Sequence, residues 1–176
     1  MIESRPEMVI IRRESPEQIA AIRHVLEMAF GRPSEADLVD ALRENGKIVL
    51  SLVAEDAGQV VGQILFSPVT IETERDVMEI TGLAPLSVLP QLQNRGIGSL
   101  LVREGLEQCR AIGRDCVVVL GHPTYYPRFG FVPASRYGVK CEYNVPDEVF
   151  MITGLQEEPT TNCAGIAKYQ PEFNQV

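Results

Sequence analysis

The sequence predicts a mixed α/β fold of the α+β kind: one domain over residues 1–176, built on a central, mostly antiparallel, twisted sheet flanked by helices. Three observations lead there. Segments of strand and helix character follow in the order strand, two helices, a three-stranded antiparallel meander, then a strand–helix–strand crossover. The best amphipathic stretch, residues 96–112, opens on a turn with two glycines. A proline, Pro85, sits inside the β run that leads into that turn.

Each element has a local reason. Residues 8–12 are a short apolar run suited to a first strand. Ser15 caps the helix that follows, with Pro16 at its first position and Glu17 beside it. Ile19, Ile22, Val25, Leu26 and Ala29 recur at helical spacing until Gly31 and Pro33 stop the run. Ser34 opens a second helix with Leu38, Val39 and Leu42 facing inward, ended by Asn45 and Gly46. Residues 48–54 and 60–69 are β-rich and joined by an acidic turn with Gly58, the signal of a hairpin. A fourth strand spans 77–88.

Helix 96–112 places Leu101, Val102, Gly105, Leu106, Cys109 and Ile112 on one side, and Ser99, Arg103, Glu104, Glu107, Gln108 and Arg110 on the other. Gly105 on the buried side would let it sit close to the sheet. After Gly113, residues 116–120 form the continuous apolar run expected of a fifth strand covered on both faces. Residues 125–129 read as a helical turn closed by Gly130, with β segments near 131–133 and 149–153. The last twenty or so residues, polar and proline-containing, read as an ordered but irregular tail.

Composition narrows the function. With 45% apolar residues the chain has the makings of an ordinary core. No apolar run approaches the ~18 residues of a membrane helix, so no membrane partner is expected. Glu3, Arg5, Glu7, Arg12, Arg13 and Glu14 argue against a secretory signal peptide and for a cytoplasmic protein. The net charge of −8 speaks against nucleic acid as a partner and suits a cationic substrate such as an amine. Cys109, Cys116, Cys141 and Cys163 include no C-x-x-C pair, and His24 and His122 are far apart, so no metal site is expected. Cys109 and Cys116 fall on apolar faces and read as small core residues.

The chemistry gathers between Leu86 and Phe131. Gly96 and Gly98 leave backbone N–H groups bare at a helix start, where the helix dipole also favours an anion. The segment fits neither a dinucleotide fingerprint, since Leu101 takes the third glycine position, nor a P-loop, which needs Gly-Lys-Ser/Thr. What stands is Q-x-x-G-x-G, from Gln93 to Gly98. Pro85 cannot donate to a sheet ladder, so the fourth strand must bulge or lose a neighbour there. A splay between strands four and five would leave a slot that an extended, amide-bearing ligand fills as a false strand. The pantetheine arm of coenzyme A is such a ligand, and its pyrophosphate would land at the helix start.

Leu86-Ser87-Val88 with Pro90, the Gln93–Gly98 turn, and Tyr125-Tyr126-Pro127-Arg128-Phe129-Gly130-Phe131 together resemble the GNAT superfamily of N-acetyltransferases, and most closely its YhbS-like bacterial branch. The resemblance implies acetyl-CoA as donor, with no metal, and a small-molecule or peptide amine as acceptor. It implies that Leu86, Ser87 and Val88 meet pantetheine, chiefly through the backbone of Leu86 and Val88. It likewise implies that Gln93, Asn94, Arg95, Gly96, Ile97, Gly98 and Ser99 wrap the pyrophosphate, with Arg95 adding charge at the rim.

Tyr126, five residues before Phe131 in a Y-x-x-x-G-F motif, would lie near the thioester sulfur and protonate the departing thiolate. Its neighbour Tyr125 is assigned to packing. The amine would attack directly in a ternary complex, with a backbone N–H of the splayed strand, that of Val88, stabilising the oxyanion. Gly82 stands where some family members carry a glutamate base. Glu79, His122 or a water chain are then the alternatives, with Glu79 expected at the surface and His122 as a hydrogen-bonded turn residue. Glu35 and Asp37 are expected on an exposed helix face. Two other functions share this sequence pattern: a transferase using a different acyl donor, and a non-catalytic acyl-CoA-binding or regulatory module.

Overall fold

The computed structural model describes residues 8–156 and 163–176. Glu3, Arg5 and Glu7 lie outside them. Strand β1 (Ile10–Arg13) is followed by helices α1 (Ile19–Phe30) and α2 (Ser34–Glu44), then by the meander β2 (Leu50–Asp56), β3 (Gln59–Glu72) and β4 (Val77–Val88). Helix α3 (Ile97–Ala111) crosses to β5 (Cys116–Leu120), which pairs parallel to β4. The remaining strands are β6 (Val132–Pro133), β7 (Val139–Cys141), β8 (Phe150–Gly154) and β9 (Gly165–Lys168). The sheet runs β1-β2-β3-β4-β5-β8-β6, antiparallel except at β4–β5, while β9 pairs antiparallel with β3 and parallel with β7.

Local chemistry explains the boundaries. The Ser15 backbone N–H donates to Gln18 Oε1 at 3.0 Å ahead of α1. Gly31 ends the helix at φ +68°, its N–H on Glu27 O at 2.9 Å. The hairpin between β2 and β3 turns on Ala57 and Gly58, both at positive φ, the geometry that matches the twist of its strands.

Two apolar layers sandwich the sheet. On one face α1 and α2 bury Ile22, Leu26, Leu38, Val39 and Leu42 against Leu65, Val69 and Ile71. On the other α3 lays Leu101, Val102 and Leu106 on Ile64 and Phe66. The close approach expected at Gly105 is present: a Cβ there would stand 2.6 Å from the Phe66 ring. Cys109 lies in this layer, and burial pushes its thiol up to about 12. None of the four cysteines is disulfide-bonded among the described residues.

The expected irregular tail needs correcting. Residues 165–168 add strand β9 to the far half of β3, with Thr70 opposite Lys168, and Tyr169 and Phe173 behind it enter the core. Glu35 also departs from expectation: it is buried and ion-paired with Arg32, whereas Asp37 stays exposed and pairs with Arg23 at 2.7 Å.

Candidate active site

Pro85 breaks the sheet as its chemistry requires. The β3–β4 register runs Phe66↔Leu83 and then Ile64↔Leu86, so Ala84 and Pro85 form a bulge opposite Leu65. The parallel pairing with β5 spans Thr81 to Leu83 and goes no further. Beyond that point β4 and β5 fork.

The ladder fixes which backbone groups face the fork. Leu89 N–H donates to Val61 O at 2.9 Å, and the register pairs Gln63 with Ser87 and Gly62 with Val88. Antiparallel pairs alternate, so Ser87 and Leu89 turn their peptide groups to β3, while Leu86 and Val88 turn theirs to the open edge. The Val88 carbonyl is already taken, since Gln93 Nε2 donates to it at 3.0 Å. That bond folds the turn back onto β4. What Val88 offers the fork is therefore its N–H.

This edge runs into the start of α3. Asn94 (φ +62°) and Gly96 (φ +85°) make the left-handed turn that aims the helix at the fork. Leu100 N–H is bonded to Gly96 O at 3.0 Å, and the Ile97, Gly98 and Ser99 N–H groups ahead of it have no intrahelical acceptor. They face a cleft of about 490 Å³ lined by Leu86, Val88, Leu92, Gln93, Asn94 and Gly96 through Ser99, with Tyr125 and Arg128 opposite. An extended amide-bearing arm fits the free edge, and an anion fits the bare amides.

Eight of the ten expected cofactor contacts thus lie together: Leu86, Val88, Gln93, Asn94, Gly96, Ile97, Gly98 and Ser99. Ser87 does not join them. Its side chain is buried on the opposite face, with Oγ donating to Gln63 O at 3.4 Å. Arg95 is exposed and is not among the lining residues; the charged side chain among them is Arg128.

Tyr125, expected to pack, reaches the cleft, its hydroxyl 3.3 Å from Ser99 Oγ. Tyr126 sits deeper, edge-on to Tyr125 and Phe131 and so tight against residue 121 that a Cβ there would fall 2.2 Å from its ring. Burial pushes its phenol pKa well above the ordinary tyrosine value, so the hydroxyl holds its proton. Tyr126 packs on Gly121, two residues past Val119, the last β5 residue paired with β4, and so stands beside the mouth of the fork.

The expected bases lie aside. Glu79 is more than half exposed and bound to Arg114 at 2.7 Å. His122 is exposed, and its carbonyl accepts the Tyr125 and Tyr126 N–H groups at 3.1 and 3.4 Å. No group of three metal-ligating side chains converges among the described residues, and no described helix is long and apolar enough to cross a membrane.

A bulged β4, a fork beside a parallel β5 and a glycine turn into α3 define a class, and comparison with known proteins agrees. The family model of the acetyltransferase (GNAT) domain matches residues 10–134, and the chain belongs to the GNAT N-acetyltransferase family. It is 35% identical over 167 residues to the uncharacterized N-acetyltransferase YhbS of Escherichia coli K12, covering 94% of this chain and 99% of that one. It is 41% identical over 157 residues to E. coli YjhQ, another uncharacterized N-acetyltransferase, covering 86% and 87%. The crystal structure of E. coli YhbS in complex with CoA superposes with a TM-score of 0.91 at 33% identity, over 100% of this chain and 97% of that one. A GNAT acetyltransferase from Brucella melitensis in complex with acetyl-CoA superposes at 0.76 and 38% identity, covering 95% and 99%.

Proposed function

We propose that this chain is an acetyl-CoA-dependent N-acetyltransferase that moves the acetyl group directly to an amine within a ternary complex. The observation that carries it is the continuity of the outward-turned peptide groups of Leu86 and Val88 with the bare amides of Ile97, Gly98 and Ser99. A pantetheine arm would pair with the first set and a pyrophosphate with the second. Relatives crystallised with CoA and acetyl-CoA support this assignment.

Acetyl-CoA supplies the activated acetyl group. The chain's own residues orient it and manage protons. Tyr126, protonated at every ordinary pH, is the proton donor for the departing thiolate sulfur. The N–H of Val88, turned to the open edge of β4, would donate to the acetyl oxygen. Glu79 is held by Arg114; the proton shed on amide formation returns through water to Tyr126, and the amine arrives uncharged, its ammonium proton already lost to water. The net charge of −8 would draw amines as cations to the surface before they shed that proton.

The test is to incubate purified protein with acetyl-CoA and a panel of primary amines, small molecules and peptides, following free thiol release. Amine-dependent turnover supports the proposal. Thermal stabilisation by CoA with no turnover would instead identify a binding module, and turnover only with longer acyl thioesters would replace the donor.

A further inference from the structure

The cleft has two walls, and the pyrophosphate assignment uses only one. The first turn of α3 offers neutral amides and a helix dipole. The other wall is the short helical turn Tyr126–Phe129, with Tyr125 at its head. The two elements interlock at matching four-residue intervals. Tyr125 reaches Ser99, hydroxyl to hydroxyl at 3.3 Å, and four residues along each chain segment Arg103 of α3 lies over the Phe129 ring at 5.2 Å. A third contact, within the turn, aims a charge. Arg128 lies over the Tyr125 ring with Cζ 4.8 Å from its centre, a cation–π stack that holds the guanidinium against the cleft. Tyr125 is itself fixed edge-on between Tyr126 and Phe129. Ring and guanidinium are thus placed before any ligand arrives.

Charge gives this placement a consequence. The protein carries a net charge of −8, and its surroundings repel a nucleotide bearing several phosphates. The turn residue beside the glycines, Arg95, does not line the cleft, whereas Arg128 does. A planar guanidinium facing bare amides across a gap is suited to a phosphate diester: the amides take oxygens from one side and the fork of N–H groups from the other.

We propose that Arg128, held by its stack on Tyr125, is the cation that clamps the donor's pyrophosphate against the first turn of α3. Tyr125 acts as the positioning residue, tied to α3 through Ser99. This rests on the acetyl-CoA reading above and extends it to residues on the second wall.

The experiment is calorimetric titration of CoA, and of CoA lacking its 3′-phosphate, into the wild type and the variants Arg128→Ala, Arg128→Lys and Arg103→Ala, at low and moderate salt. Arg103→Ala is the structural control. It removes a guanidinium–aromatic stack between the same two elements but no residue of the cleft. Arg128→Ala should weaken CoA about tenfold and flatten the salt dependence of binding, and Arg128→Lys should recover only part of the loss, since an ammonium cannot stack and fork as a guanidinium does. Arg103→Ala should stay within about twofold of wild type, too small a change to register as a lost charged contact.

The tenfold loss should appear equally with the ligand that lacks the 3′-phosphate. If it vanishes there, Arg128 serves that phosphate and the pyrophosphate assignment is overturned. Equal affinities for Arg128→Ala and wild type, or equal losses for Arg128→Ala and Arg103→Ala, also overturn the proposal. A wild type that binds neither ligand would instead defeat the acetyl-CoA reading itself.

Discussion

Replacing Gly98 by alanine should separate ligand binding from stability. A Cβ at this position would stand 3.2 Å from the Tyr125 hydroxyl and 3.9 Å from Leu86 Cδ2 and Val88 Cγ2, all lining the cleft. The new methyl therefore projects where the donor must approach the backbone. Its cost to the unliganded protein is small. Tyr125 must shift by a few tenths of an ångström, which endangers the Ser99 contact, worth about 0.5–1.5 kcal/mol. Alanine returns up to about 1 kcal/mol of helix propensity over glycine. The two effects nearly cancel, leaving a net change within about 1 kcal/mol, or a Tm shift of at most roughly 2–4 °C for a chain of this size.

Binding has no such offset. A tenfold or greater loss of CoA affinity, about 1.4 kcal/mol or more, is expected by calorimetric titration. Gly96→Ala should fail differently. At φ +85° an alanine there carries about 1–2 kcal/mol of left-handed strain with nothing within 4 Å to repack, so Tm falls first. CoA affinity of Gly98→Ala within twofold of wild type would refute the account of this cleft.

Tyr126→Phe should lower kcat at least tenfold while CoA affinity, measured by titration, changes little; equal turnover removes Tyr126 from the acid role. Gly105→Ala drives a methyl to 2.6 Å from the fully buried Phe66 ring, and overpacking of about 1–3 kcal/mol outweighs the helix-propensity gain, so Tm should drop by several degrees in thermal melts. Buried Tyr126 and Tyr169 both have their pKa values raised, so the stability they contribute is fully present below the ordinary tyrosine pKa near 10 and is lost as pH rises through and beyond it. Tyr169→Phe, which removes a hydroxyl with no hydrogen-bond partner among the described residues, should keep or raise Tm at pH 7 and reduce that alkaline loss; a fall in Tm at pH 7 would show that the hydroxyl is a structural bond.

Much of the fold is legible in the sequence because its signals are local. Helix caps at Ser15 and Gly31, the two-residue hairpin turn and the 3.6-residue stripe of α3 each lie within a few positions of the element they specify. The C-terminal strands are not local in this sense. β7 has three residues and β9 four, too few to show alternation, and β9 is held by β3, about a hundred positions away. Tyr169 and Phe173 become core residues only through that pairing.

The backbone half of the site is equally readable, since glycine spacing and Pro85 act through the main chain. The side-chain half is not. Arg95 adjoins the glycines in sequence yet is not among the lining residues, while Arg128, 33 residues on, is brought in by stacking on Tyr125. Ser87 was readable in principle: strand alternation alone sends its peptide group to β3 when those of Leu86 and Val88 face outward. Glu35 is buried while Arg32, its ion-pair partner three positions earlier, stays exposed, and the packing of α2 on α1 and the C-terminal turn that covers Glu35's helix is not a local signal.

The most direct test is a crystal structure of this protein with CoA. The account predicts the pantetheine arm in the fork between β4 and β5, bonded to the outward peptide groups of Leu86 and Val88. The pyrophosphate should lie within hydrogen-bonding distance of the Ile97, Gly98 and Ser99 amides. CoA bound outside that fork, or with its pyrophosphate away from the start of α3, would contradict it.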